Sequence, residues 1–96
     1  MTGVNVAQSI EHRLTALEPS RLEIVDDSFR HAGHEGAKGG GGHYRLTIVS
    51  AQFAGKNTLA RHRMIYAALG PMMQTQIHAL AIRAFAPDEA ESLSQP

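Results

Sequence analysis

Between residues 44 and 85 a segment with apolar residues at helical spacing is flanked by two segments with strand character. Residues 44–50 alternate apolar with polar side chains, and residues 77–85 form a mostly apolar run with Leu80, Ile82 and Ala84 on one face, which predicts two strands. Residues 58–69 carry an apolar helical stripe. The stripe consists of Leu59, Tyr66 and Leu69, with Ile65 and Ala68 alongside. Two strands that flank a helix in one sheet need a right-handed crossover, so they should be parallel.

The segments before this crossover unit predict one more helix and one more strand. The helix ends before Pro19 and carries an apolar stripe of Val6, Ile10, Leu14 and Leu17. A short strand follows at 22–27, and the loop 29–42 should return it as an antiparallel hairpin. The element order helix, strand, strand, helix, strand predicts an α+β domain. We expect a three-stranded mixed sheet with both main helices packed on one face.

Length and cysteine content restrict the possible classes of protein. The 96 residues suffice for one domain, with its core at about residues 6–87, a flexible Gly-rich loop at 35–42 and a frayed tail at 88–96. The chain has no cysteine, which excludes disulfides and any thiolate metal site built from this chain alone. Neither an apolar run of membrane-spanning length nor a secretory signal is visible, so we expect a cytoplasmic protein without a membrane partner.

The net charge of zero conceals an uneven distribution of charges. Residues 1–35 contain six acidic and three basic side chains, whereas residues 36–87 contain no acidic side chain. The six bases of the second segment are Lys38, Arg45, Lys56, Arg61, Arg63 and Arg83. An anionic partner would explain this segment, and so would a solvated basic surface that balances the acidic segment.

Four histidines are predicted to meet at one edge of the sheet. His78 lies at the start of the last strand, on the face that carries Leu80, while His31, His34 and His43 lie in the hairpin loop or at its end. Parallel strands begin at the same edge and lie about 5 Å apart, so these rings could share a metal ion. Imidazole binds zinc, copper and iron. The alternative is that the loop histidines are solvated and His78 is bonded to backbone.

The remaining candidates for chemistry give a weaker signal. His62 lies one helical turn from Leu59 and Tyr66, which is typical of a packed, hydrogen-bonded histidine. The glycine run 39–42 is not a P-loop, because no Gly-Lys-Ser/Thr follows it. No serine lies in a Gly-x-Ser-x-Gly turn, and the acidic residues form no evident acid–base pair. We therefore predict that the protein is not an enzyme.

Several short segments resemble the signature of BolA-like proteins. The resemblance covers about residues 6–89. Its segments are Phe53-Ala54-Gly55-Lys56, Arg61-His62-Arg63-Met64-Ile65-Tyr66, Ile77-His78-Ala79-Leu80 and the strand and loop from Leu22 to His34. Two positions depart from the family pattern: Gly39–Gly42 replace a polar loop segment, and Ala90 stands where a tryptophan is usual.

The resemblance implies a class II KH-like fold, α-β-β-α-β, and a partner protein of monothiol glutaredoxin. Such a heterodimer shares a [2Fe–2S] cluster and acts in iron regulation or cluster trafficking. The family's ligand positions carry over to His78 and His31, with His34 as the substitute. Glutaredoxin and glutathione would supply the thiolates, and the isolated protein, a monomer or weak homodimer, would hold no cofactor.

The resemblance also implies an alternative function, a nucleic-acid-binding transcriptional regulator. Lys56, Arg61, Arg63 and His62 would contact DNA or another anionic partner near the start of the second helix. Against this function, a KH domain clamps nucleic acid with a Gly-x-x-Gly loop between helices, and the two candidates here, Gly36–Gly39 and Gly39–Gly42, lie in the hairpin loop.

Overall fold

The computed structural model describes residues 6–27 and 42–94. Both hairpin strands are described, whereas residues 28–41, which include the predicted Gly-rich loop up to position 41, lie outside these ranges. The elements in chain order are α1 (Val6–Leu14), a 3₁₀ turn (Thr15–Leu17), β1 (Arg21–Asp26), β2 (Gly42–Val49), a 3₁₀ turn (Ala51–Phe53), α2 (Thr58–Leu69), α3 (Met72–Thr75), β3 (Ile77–Phe85) and α4 (Pro87–Ser94).

The three strands form one mixed sheet in the order β1-β2-β3. β1 pairs with β2 antiparallel, from Arg21 opposite Val49 to Asp26 opposite Tyr44. β2 pairs with β3 in parallel and ends with Val49 opposite Phe85. The crossover through α2 and the antiparallel hairpin are therefore both confirmed.

One face of the sheet carries the core, and α1 and α2 pack on it. Ile10 and Leu14 of α1 and Ile65 and Leu69 of α2 are fully buried in one cluster with residues of all three strands. The strand residues of this cluster are Leu22, Ile24, Tyr44, Leu46, Ile48, Ile77, Leu80, Ile82 and Ala84. The predicted α+β architecture with helices on one face is confirmed.

Helix α2 begins and ends where its sequence predicts, but it buries a different face. The Asn57 side chain accepts a hydrogen bond from the Ala60 N–H at 2.8 Å, which caps the first turn. Leu59 and Tyr66, predicted to line the apolar stripe, are 58% and 41% exposed, so this part of the prediction is wrong. They lie about 100° around the helix from the buried Ile65 and Leu69, which are four residues apart.

The chain after β3 was expected to fray, but it forms helix α4 instead. Pro87 occupies the first helical position, where its missing N–H costs no hydrogen bond. Glu89, in the same turn, accepts a hydrogen bond from the Ala86 backbone N–H at 2.8 Å. This is one half of a capping box, and the carboxylates of Asp88 and Glu89 also suit the positive end of the helix dipole.

Candidate functional site

A bulge at the start of β3 sets the position of His78. The ladder aligns Gly42 with Ile77 and then His43 with Ala79, so β3 contains one residue more than β2 at this point. His78 is that extra residue. Bulges in parallel sheets are rare, and bulges in general re-aim a side chain and often lie beside functional sites.

The bulge overturns the predicted division of β3 into two faces. Ile77 was expected on the side opposite Leu80, yet it is only 3% exposed and belongs to the same core cluster. His78 was expected beside Leu80, yet it is exposed together with Ala79. An extra residue between two core positions explains both corrections, because it interrupts strict alternation once.

The bulge brings the His78 ring next to the ring of His43 on the central strand. The two ring centroids lie 5.1 Å apart, and the ring planes are tilted by 46°. His43 is half-buried, and its carbonyl accepts the Asp27 N–H at 2.8 Å, so the backbone beneath it is tied to the β1 side of the sheet. Two imidazoles therefore stand side by side at the edge where the hairpin segment joins the sheet.

Of the histidines predicted to meet there, the structure places His43 and His78 together. His31 and His34 lie outside the described residues. Within residues 6–27 and 42–94, no third histidine, aspartate or glutamate completes a metal-binding group with this pair. A metal held by these two rings would therefore take its further ligands from the 28–41 segment, from water or from a partner.

The opposite end of β3 carries a polar network centred on Arg61. Its Nη1 and Nη2 donate to the two carboxylate oxygens of Glu89 at 2.6 and 3.0 Å. Nη1 also donates to the Ala84 carbonyl at 3.0 Å, and Nε donates to the Lys56 carbonyl at 2.8 Å. The Arg61 side chain is only 11% exposed. The guanidinium thus joins α2, the end of β3 and α4.

This network also shifts the ionisation of Glu89. The hydrogen bonds from Arg61 and from the Ala86 backbone N–H lower the pKa of Glu89 to about 2. The hydrogen bond to Glu89 correspondingly raises the pKa of Arg61 above its ordinary value. The pair is therefore ionised across the physiological range.

The predicted basic surface is divided by these contacts. Lys56 and Arg63 are exposed, and His62 is half-buried with its ring edge-on to Tyr66, the centroids 6.4 Å apart. Arg61 faces inward and donates four internal hydrogen bonds. An anionic partner would have to compete with these acceptors for its guanidinium. The sequence analysis missed Glu89 as its partner.

The described helices include none with the length and apolar character required to cross a membrane. Residues 14–89 match the family model described as BolA-like protein. The chain belongs to the BolA-like family. The segments that carried the resemblance lie in this match, including the bulged strand of His78.

The BolA-like chain is similar to named relatives in several organisms. It is 38% identical over 89 residues to the DNA-binding transcriptional regulator BolA of Escherichia coli (strain K12), covering 92% of this chain and 82% of that protein. It is 39% identical to BolA-like protein 1 of Homo sapiens, covering 83% of this chain but 56% of the human protein. Neither name denotes an enzyme.

Solved structures agree with the fold. BolA1 from Arabidopsis thaliana superimposes with a TM-score of 0.77 at 39% identity, covering 92% of this chain and 98% of that one. The BolA domain of SufE1 from the same plant gives a TM-score of 0.74 at 37% identity, covering 91% and 99%. The mixed three-stranded sheet with its helices is thus the BolA fold.

Proposed function

We propose that this BolA-like protein is a non-enzymatic partner of a monothiol glutaredoxin, with which it shares a [2Fe–2S] cluster through histidine ligands. Its role would be iron regulation or cluster trafficking in the cytoplasm. The observation that supports the proposal most is the bulge that turns His78 out of the core. The bulge leaves His78 exposed and places its ring 5.1 Å from that of His43 on β2.

The donor set of this chain fits such a shared cluster. Imidazole ligates iron in Rieske-type centres, where two histidines on one iron raise the reduction potential. The chain contains six histidines and no cysteine, so every thiolate would come from outside. The glutaredoxin cysteine and glutathione would supply them, while this chain contributes His78 and a loop histidine.

The two ligand positions should differ in how strictly they are required. His78 stands on a strand whose neighbours are held by the sheet, which fixes the direction of its ring. His31 and His34 lie three residues apart, and either could complete the site. We therefore expect His78 to be indispensable and each loop histidine to be replaceable by the other.

The test is a visible circular-dichroism titration of each variant into cluster-loaded monothiol glutaredoxin, with iron analysis of the product. His78→Ala should abolish the histidine-ligated spectrum, and His31→Ala should alter it in part. The double change His31→Ala/His34→Ala should resemble His78→Ala. His62→Ala is the matched control, because it also removes an imidazole but leaves the sheet edge intact. A wild-type spectrum from folded His78→Ala would contradict the proposal.

A second candidate function is regulation of transcription through DNA binding. The name of the Escherichia coli relative and the exposed Lys56 and Arg63 near the start of α2 favour it. Each phosphate contact contributes about 0.9 to the slope of log affinity against log salt concentration. The double change Lys56→Ala/Arg63→Ala should therefore lower that slope by about 2 on duplex DNA. No binding of duplex DNA at low salt would contradict this candidate.

A further inference from the structure

We propose that His43 and His78 form a two-histidine site for a first-row divalent cation of the Zn²⁺ type, which the isolated chain binds without glutaredoxin or a cluster. The site uses His43, which the ligand set proposed above does not include. It is independent of the proposed function, because it requires only this chain and an ion.

The distance between the two rings is the one that a shared ion demands. With metal–nitrogen bonds of about 2.0–2.1 Å at a tetrahedral centre, the centroids of two bound imidazoles lie roughly 5 Å apart. The observed separation of His43 and His78 is 5.1 Å. The 46° tilt keeps the rings out of the parallel stack that would turn their nitrogens away from a common point.

The backbone builds this arrangement before any ion arrives. His43 lies on the central strand β2, which pairs with β1 on one side and with β3 on the other. The His78 ring reaches His43 because the bulge adds one residue to β3. In strict alternation His78 would occupy the core face with Leu80, and the two rings could not meet. Preorganised ligands lose little conformational freedom on binding, which raises the affinity of a site with few ligands.

The accessibility of the two rings also suits a cation site. His43 is half-buried and His78 is exposed, so an ion bound between them would keep coordination positions open to water. Zinc sites with open positions exchange ligands, unlike closed structural sites. Imidazole is a ligand that zinc, copper and nickel accept, and zinc avoids redox chemistry during a titration.

The experiment titrates Zn²⁺ into the full chain at neutral pH by isothermal calorimetry, with histidine ring resonances followed by NMR. We expect one ion per chain, with the resonances of His43 and His78 shifting together. His78→Ala and His43→Gln should each weaken binding by at least about tenfold, since loss of a direct ligand exceeds the loss of its supporting partners. Glutamine keeps a polar side chain at the half-buried position, so the variant stays folded.

Two control variants decide whether this pair is the site. His62→Ala should bind zinc as the wild type does, and the double change His31→Ala/His34→Ala should leave the two shifting resonances in place. Zinc binding that survives both His43→Gln and His78→Ala would overturn the proposal. So would binding that disappears only with His31 and His34. Neither result would affect the glutaredoxin titration, which is read from the spectrum of the cluster complex.

Discussion

The two ends of β3 differ in whether the polar side chains beside them are accessible or bonded within the protein. At the start, a bulge places two imidazoles side by side at an accessible edge. At the end, Arg61, whose side chain is largely shielded from water, binds Glu89 and the Ala84 carbonyl. One end has donor atoms directed outward, whereas the other uses its donors and acceptors internally.

The difference shows that residues at one end of β3 stabilise the fold, whereas residues at the other end are available for binding. Internal hydrogen bonds to a shielded guanidinium stabilise the fold, because removal of one partner leaves the other unsatisfied. The exposed imidazole of His78 contributes little to the fold, so it can be used to bind a partner or an ion. Changes at the closed end should therefore affect unfolding, and changes at the open end should affect binding.

The sharpest test of this comparison uses single-residue deletions in β3, and it has the largest expected effect. Deletion of His78 should be tolerated within about 1 kcal/mol, because Ile77 and Leu80 then alternate regularly on the core face. Deletion of Ala81 should lower the free energy of unfolding by more than about 3 kcal/mol, since it turns Leu80 or Ile82 out of the core. Urea unfolding of both variants measures the two changes in the free energy of unfolding. Equal losses would show that His78 is not an extra residue in β3.

The next largest effect should follow from Arg61 at the closed end. We expect Arg61→Ala to lower the free energy of unfolding by about 2 kcal/mol, because the Ala84 carbonyl loses its donor and α4 its anchor. Arg63→Ala, two residues away on the exposed side of the same helix, should change it by less than about 0.5 kcal/mol. The same urea titration serves both variants. Equal losses would show that the Arg61 network does not stabilise the fold.

A smaller effect should appear as a dependence on pH. The pKa of Glu89 is lowered to about 2 from an ordinary value of 4.5, so its carboxylate stabilises the folded chain above the ordinary pKa. That contribution should decline as the pH falls from about 5 towards 2. The difference in stability between wild type and Glu89→Gln should shrink over this range, and added salt should reduce it at neutral pH. A difference that is constant with pH would contradict the assignment.

The smallest effect on stability should come from His78 itself. His78→Ala removes an exposed ring at a bulge and should change the free energy of unfolding by less than about 0.5 kcal/mol. Thermal unfolding followed by far-ultraviolet circular dichroism measures it, with Leu80→Ala as the destabilising control on the core face. A loss as large as that of Leu80→Ala would show that the open end of β3 also holds the fold together.

The elements themselves could be predicted from local sequence. The bounds of β3 and the order of the elements depend on apolar patterns, helical spacing and Pro and Gly positions within short segments. Helix α4 also had a local signal, because Pro87 followed by Asp88 and Glu89 is typical of a helix start. Its polar composition outweighed that signal, and the helix was missed.

The contacts that define the site depended on the tertiary structure. The register shift that brings the rings of His43 and His78 together involves two strands that are distant in sequence, so the residue pattern of β3 alone does not predict it. Arg61 and Glu89 are 28 residues apart, and only the packing of α2 and of α4 on β3 brings them together. The sequence by itself determined which segments are helices and strands and in what order, because those preferences are local. Packing decided which faces are buried and which side chains meet, because those choices depend on the whole sheet.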